Sequence, residues 1–153
     1  MADGSGSASA DQVWLQRCIE LARTCPPGST FSVGAVLVGP DGSELASGCS
    51  RATGPAVHAE ESALAQFAGD RVPPGSTMYS TLEPCGRRLS GAVPCAQRIL
   101  AAGVSRVVYV LDEPPTFVDG TGAEQLRAGG VEVVLLPALQ DVVRPITMRD
   151  LGG

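Results

Sequence analysis

Apolar residues recur at helical spacing along the first ordered-looking stretch, through Val13, Trp14, Cys18, Ile19, Leu21 and Ala22. Asp11 reads as the N-cap of this helix, and Cys25-Pro26-Pro27-Gly28 stops it after Thr24. The period then changes. Val33 to Val38 is a short β-branched run, Gly39-Pro40-Asp41-Gly42 is a turn, and Glu44 to Ser50 is a second short run, which together predict a hairpin. His58 to Phe67 has helical composition and closes at Gly69, and a short strand follows at Thr77 to Thr81. A Pro- and Gly-containing loop, Glu83 to Pro94, leads into a helix from Cys95 to Ala102 that ends at Gly103. Arg106 to Leu111 reads as a buried strand. The loop Asp112 to Thr121, a helix over Gly122 to Ala128, a strand over Val131 to Leu136 and a helical tail complete the chain. This order predicts an α/β protein, one sheet with helices on both faces.

The length of 153 residues fits one compact domain. Residues 1 to 10 are small and polar apart from Met1 and read as a disordered tail, which leaves 11–153 as a single domain. The formal net charge is −5, with no basic stripe, which argues against a polymeric nucleic-acid partner. No uncharged apolar run approaches the roughly 18 residues of a membrane span. Five cysteines with no signal-peptide pattern point to a cytoplasmic protein with reduced thiols.

The single histidine narrows the chemistry, because any site that needs an imidazole must use His58. His58 opens one predicted helix and Cys95 another, while Cys85 opens the loop between strand and helix. One imidazole and two thiolates form a sound Zn2+ set, and three protein ligands leave the fourth tetrahedral position open, as in a catalytic site. Glu60 is not needed as a ligand and is free to act as a base beside the metal. Residues two apart on a regular helix point to different faces, so His58 and Glu60 converge only if they lie at a helix entry. Cys18 and Cys49 read as buried thiols, Cys25 as a helix end, and Trp14 as core or a subunit contact.

His58-Ala59-Glu60, then Pro84-Cys85 and a downstream Cys95, resembles the signature of the zinc-dependent cytidine deaminase superfamily. Nine residues separate the two cysteines, where the common form has two. The stretch Met78 to Cys95 is similar to the deaminase domain of bacterial riboflavin biosynthesis proteins, as are Val33-Gly-Ala-Val36, the His58 helix and Ala101 to Val108. The resemblance covers roughly residues 11 to 137 and lacks the reductase domain of that family. It implies a three-layer α/β/α sandwich around a mixed five-stranded sheet. It also implies His58, Cys85 and Cys95 as zinc ligands, Glu60 as proton shuttle, and hydrolytic release of ammonia from an aminopyrimidine. A homodimer or homotetramer is implied as well.

This chain departs from the family where substrate is held. Thr30 and Phe31 stand at an Asn-Pro pair, which directs attention to Thr30, Ser32, Gly34 and Ala35 as substrate-binding positions. The inter-cysteine loop lacks the family's histidine and its basic residue before the final cysteine. Arg87, Arg88 or Arg51 are therefore candidates to hold a substrate phosphate, and Phe117 to stack on a base. The expected substrate is a riboflavin-pathway diaminopyrimidine nucleotide or a close relative. The alternatives are cytosine, a cytidine nucleotide or another free aminated heterocycle, and a non-catalytic zinc-stabilised interaction module. A tRNA-editing role is disfavoured by the acidic charge.

Overall fold

The computed structural model describes residues 4–28, 30–67, 69, 71–88, 91–113 and 121–149. Its sheet has five strands: β1 (Gly34–Val38), β2 (Glu44–Cys49), β3 (Thr77–Leu82), β4 (Arg106–Leu111) and β5 (Glu132–Leu135). They lie side by side in the order β2-β1-β3-β4-β5. β1 runs antiparallel to both β2 and β3, and β3, β4 and β5 are mutually parallel. The sheet is therefore mixed, as the resemblance implied. The helices are α1 (Gly4–Thr24), α2 (Ala59–Gln66), α3 (Cys95–Ala102), α4 (Gly122–Ala128) and α5 (Gln140–Thr147). A 3-10 turn, Pro137–Leu139, precedes the last of these.

Alternation along β3 shows how the layers are divided. Tyr79 turns to α1, where its ring stacks on Trp14 at a centroid distance of 6.4 Å and its hydroxyl donates to Asp11 Oδ1 at 2.6 Å. Ser80, the next residue, turns to the opposite face and donates to Glu60 on α2 at 2.6 Å. Trp14 is thus partly buried and packs against the core, and one face of the sheet is dedicated to scaffolding while the other meets the polar site.

Two expectations at the N-terminal end change. Residues 4–10, expected as a disordered tail, belong to α1, which begins at Gly4. Once packing fixes the helix beyond Asp11, elongation into Ala- and Ser-containing sequence costs little compared with nucleation. Asp11 accordingly lies inside the helix and caps nothing. Its carboxylate takes both ends of the Arg106 fork, at 2.8 Å each, in addition to the Tyr79 hydroxyl. Burial pushes the Asp11 carboxyl up, but those hydrogen bonds outweigh it and leave it below the usual value.

Gly34 also acquires a different role. A Cβ there would sit 1.9 Å from the Cys18 carbonyl oxygen, so its bare backbone is what lets α1 lie directly on β1. Ala35 is fully buried in β1, opposite Gly48 on one side and Ser80 on the other, and is likewise a sheet residue.

Candidate metal centre and active-site cleft

The three candidate ligands arrive from the ends of three elements. His58 is the N-cap of α2, with extended backbone (φ −88°, ψ 158°). Cys85 follows the end of β3, and Cys95 is the first residue of α3. His58 Nδ1 lies 3.4 Å from Cys95 Sγ and 3.6 Å from Cys85 Sγ. Tetrahedral zinc with bonds of about 2.0–2.1 Å to nitrogen and about 2.3 Å to sulfur needs that nitrogen–sulfur distance to be about 3.6 Å. The donor set therefore fits zinc in both chemistry and spacing. Among the described residues, this trio is the one cluster of metal-ligating side chains whose donor atoms converge.

Local hydrogen bonds hold the donors. The Cys95 backbone N–H donates to Cys85 Sγ at 3.2 Å, and the Ala96 N–H donates to the Cys85 carbonyl at 3.0 Å. Glu61 Oε1 accepts from the His58 backbone N–H at 3.2 Å, which fixes the entry to α2. A hydrogen bond from the Cys95 thiol holds the Cys85 thiol well below its ordinary value, against burial and with help from His58 and the Cys95 backbone N–H. The same bond, together with burial, holds Cys95 above its ordinary value. The pair is thus disposed to carry one thiolate readily, the form a metal requires.

Because His58 is the N-cap and Glu60 the second residue of α2, the two meet at a helix entry, as their convergence demanded. Glu60 is 4% exposed, and burial pushes its carboxyl up against the opposing effects of the Ser80 hydroxyl and His58. The Ser80 hydroxyl has one proton and two acceptors in reach, Glu60 Oε1 at 2.6 Å and the Leu82 carbonyl at 2.8 Å.

A cleft of about 420 Å³, counting its open mouth, is lined by His58, Glu60 and Cys85 together with Thr30, Phe31 and Glu113. It opens at the carboxyl ends of the parallel strands, where α/β folds bind ligands. Thr30 lies on the cleft wall, with Phe31 beside it. Ser32 is fully buried and its hydroxyl accepts from Arg51 Nη2 at 2.8 Å, so it sits behind that wall. Arg51, a candidate phosphate grip, is only 6% exposed, and its guanidinium is turned onto the segment before β1. Arg88 donates to Glu61 Oε1 at 3.0 Å and to the Ala56 carbonyl at 2.7 Å, so it ties the inter-cysteine loop to α2. Glu61, also paired with Arg98, is the hinge of this link. Arg87 is exposed on the same loop. Phe117 lies outside the described residues.

Glu83 and Glu113 escape sequence reasoning. Glu83 is 3% exposed, and its two carboxylate oxygens accept the backbone N–H groups of Glu113 and Ala123, each at 2.9 Å. It joins the exit of β4 to the start of α4 immediately before the metal-site loop. Burial raises the Glu113 carboxyl to about 7, with further contributions from Cys85 and Glu83. The one signal for Glu83 is its position before Pro84-Cys85; for Glu113 there is none, since it reads as one more polar loop residue.

An α/β/α sandwich whose helix entries and strand end gather one imidazole, two thiols and an uncoordinated carboxylate defines a zinc site of the open, three-ligand class. Residues 8–111 match the family model described as the cytidine and deoxycytidylate deaminase zinc-binding region, and the chain belongs to that family. It is 36% identical over 133 residues to the diaminohydroxyphosphoribosylamino-pyrimidine deaminase of Schizosaccharomyces pombe, covering 84% of this chain and 32% of that protein. It is 36% identical over 127 residues to riboflavin biosynthesis protein RibD of Synechocystis, covering 81% of this chain and 33% of the relative. The chain thus spans about a third of the length of these curated relatives. Among solved structures, it superposes on the Aspergillus oryzae Rib2 deaminase in complex with DARIPP with a TM-score of 0.82 at 28% identity, covering 92% of this chain and 91% of that one. With Acinetobacter baumannii RibD the TM-score is 0.77 at 32% identity, over 94% of this chain and 39% of that one.

Proposed function

We propose that this chain is a zinc-dependent aminohydrolase that deaminates an aminopyrimidine, with a diaminohydroxyphosphoribosylaminopyrimidine nucleotide as its substrate. The observation that carries this reading is the pairing of a three-donor metal set with a buried carboxylate, Glu60, that is held by Ser80 and by no ligand role. The names of the curated relatives and the Rib2 complex with DARIPP support the substrate class.

Zinc held by His58, Cys85 and Cys95 would supply Lewis-acid activation of water at neutral pH. Glu60 takes a proton from the attacking water and delivers it to a ring nitrogen, then takes the second proton from the hydroxyl now on the ring carbon and gives it to the departing amine, which leaves as ammonia as the carbon–nitrogen bond breaks and the carbonyl forms. Ser80 fixes one oxygen of the Glu60 carboxylate. Thr30 and Phe31 form the wall against which the ring is held. The same reading treats residues 11–153 as one deaminase unit, acting in the cytoplasm as a homodimer or homotetramer. Among the described residues, no helix is long and apolar enough to cross a membrane. A monomer in sedimentation would count against the oligomer.

A second reading, deamination of a free aminated heterocycle, is favoured by the engagement of Arg51 and Arg88 with the protein itself. One assay separates the two. Zinc-loaded protein is offered the diaminopyrimidine nucleotide, cytosine, cytidine, dCMP and guanine, and ammonia is measured. Preferred turnover of the nucleotide supports the first reading and preference for a free base supports the second. Release from none, with zinc fully bound, leaves a zinc-stabilised interaction module. Glu60→Gln is expected to keep zinc and to lose turnover by about 100-fold or more; full turnover in that variant refutes the shuttle.

A further inference from the structure

The wall that carries Thr30 and Phe31 belongs to no helix or strand. It lies between the end of α1 and the start of β1, and its hydrogen bonds must come from elsewhere. The Ser32 N–H donates to the Thr147 carbonyl at 3.0 Å and the Val33 N–H to the Ser50 hydroxyl at 2.9 Å, and the acceptors from Pro26 to Ser32 converge on one side chain. Arg51 Nε donates to the Pro26 carbonyl at 2.8 Å, and Nη1 donates to the Thr30 carbonyl at 3.1 Å, the Thr30 hydroxyl at 2.6 Å and the Phe31 carbonyl at 3.1 Å. Nη2 donates to the Ser32 hydroxyl at 2.8 Å and approaches Cys25 Sγ at 3.6 Å. A planar fork with five N–H groups can serve acceptors this dispersed; an ammonium with three cannot.

The backbone is shaped to deliver that fork. Arg51 has φ +62°, the one non-glycine residue in the left-handed region among those described, and its N–H is tied to the Val57 carbonyl at 2.8 Å. Such a conformation persists in a non-glycine residue when its surroundings over-determine it. Gly28 leaves room for the stem, since a Cβ there would lie 2.3 Å from Arg51 Cδ. Arg51 itself is absent from the described lining of the cleft, whereas Thr30 and Phe31, which it grips, are part of it.

We propose that Arg51 is a positioning residue that sets the substrate-facing wall of the cleft through Thr30 and Phe31, and so governs substrate affinity without touching the reacting atoms. The kinetic part of this rests on the deaminase reading above; the structural part does not. His58, Glu60 and Ser80 lie on other elements, so binding and chemistry are expected to separate.

The test uses the zinc-loaded full chain. Arg51→Gln is expected to raise KM for the diaminopyrimidine nucleotide more than tenfold with kcat within threefold of the parent. Arg51→Lys is expected to fall between the two. Gly28→Ala, which displaces the stem while keeping the arginine, should shift KM in the same direction. Amide hydrogen exchange provides a readout independent of turnover: Ser32 and Val33 should exchange at least ten times faster in the variants, while Val107 to Val110 in β4 stay protected. Unchanged exchange at Ser32 and Val33 in a folded variant overturns the proposal, as does a loss confined to kcat. If Arg51→Gln does not fold, Arg51→Lys and Gly28→Ala decide by the same two measurements. A parent that releases no ammonia from the nucleotide sinks the deaminase reading, and the exchange result then still decides whether Arg51 holds the wall.

Discussion

Gly122 offers a way to disturb the metal centre without altering a ligand. It is the first residue of α4, and a Cβ at this position would lie 1.7 Å from the Pro84 carbonyl oxygen and 2.8 Å from its carbon. Side-chain rotation relieves nothing, because the obstacle is backbone. To reach even the 3.0 Å limit of real Cβ contacts, helix and strand end must part by about 1.3 Å. The Ala123 N–H bond to Glu83 resists movement on the helix side, so much of the shift falls on Pro84 and hence on Cys85 next to it. Metal sites tolerate about 0.2 Å in ligand distance. Gly122→Ala is therefore expected to weaken zinc binding by about 10- to 100-fold, the range seen when outer supports of a metal site are lost. The assay is competition for zinc against a chromogenic chelator, with circular dichroism to verify folding. Gly54→Ala, whose Cβ would meet only Val57 at 3.5 Å, is the control. A folded Gly122→Ala protein that holds zinc as tightly as the parent refutes the argument.

Other outcomes follow from the same geometry. Ser80→Ala should retain zinc and lower kcat by about tenfold, since it removes one hydrogen bond of 2.6 Å to Glu60, the proposed shuttle; unchanged kcat shows that Glu60 needs no such restraint. Cys95→Ala and His58→Ala should abolish the rise in melting temperature that excess zinc produces in the parent, a linkage effect measurable by scanning calorimetry. Asp11→Ala should cost about 2 kcal/mol in urea unfolding at pH 7, less than the 3–5 of a fully buried pair because Arg106 is partly exposed. The Asp11 carboxyl is lowered in the fold, so the stability it supplies is present above the ordinary aspartate value of about 4 and is lost as pH falls through the lower folded value. The gap between parent and variant should therefore narrow toward pH 3, and a gap that widens there contradicts the assignment.

Much of this molecule is legible without coordinates. α3, β4 and α4 fall where the apolar pattern and the glycine stops put them, and the metal trio follows from one histidine and a pair of cysteines at element boundaries. What periodicity does not carry is pairing between distant segments. Nothing local tells that β1 inserts between β2 and β3, or that Asp11 seeks an arginine on β4 instead of the N–H groups of its own helix. Arg51 shows the limit most plainly: its charge and its place after β2 suggested a grip on substrate, and only the left-handed turn of its backbone sends the guanidinium the other way. Glu83 is invisible for a similar reason, as its two partners lie 30 and 40 residues downstream.

The two bonds that fasten Cys95 and Ala96 to Cys85 have a consequence for how such a protein changes over time. They close the nine-residue loop at its base, so the spacing of the two thiols is held by bonds that do not involve the loop's own side chains. Exchange of loop residues other than Arg88 and Pro94, which hold Glu61 and the start of α3, is then expected to leave the donor set in place. The loop is in this sense an interchangeable cassette, and libraries confined to it are a direct route to new substrates on an unchanged metal centre.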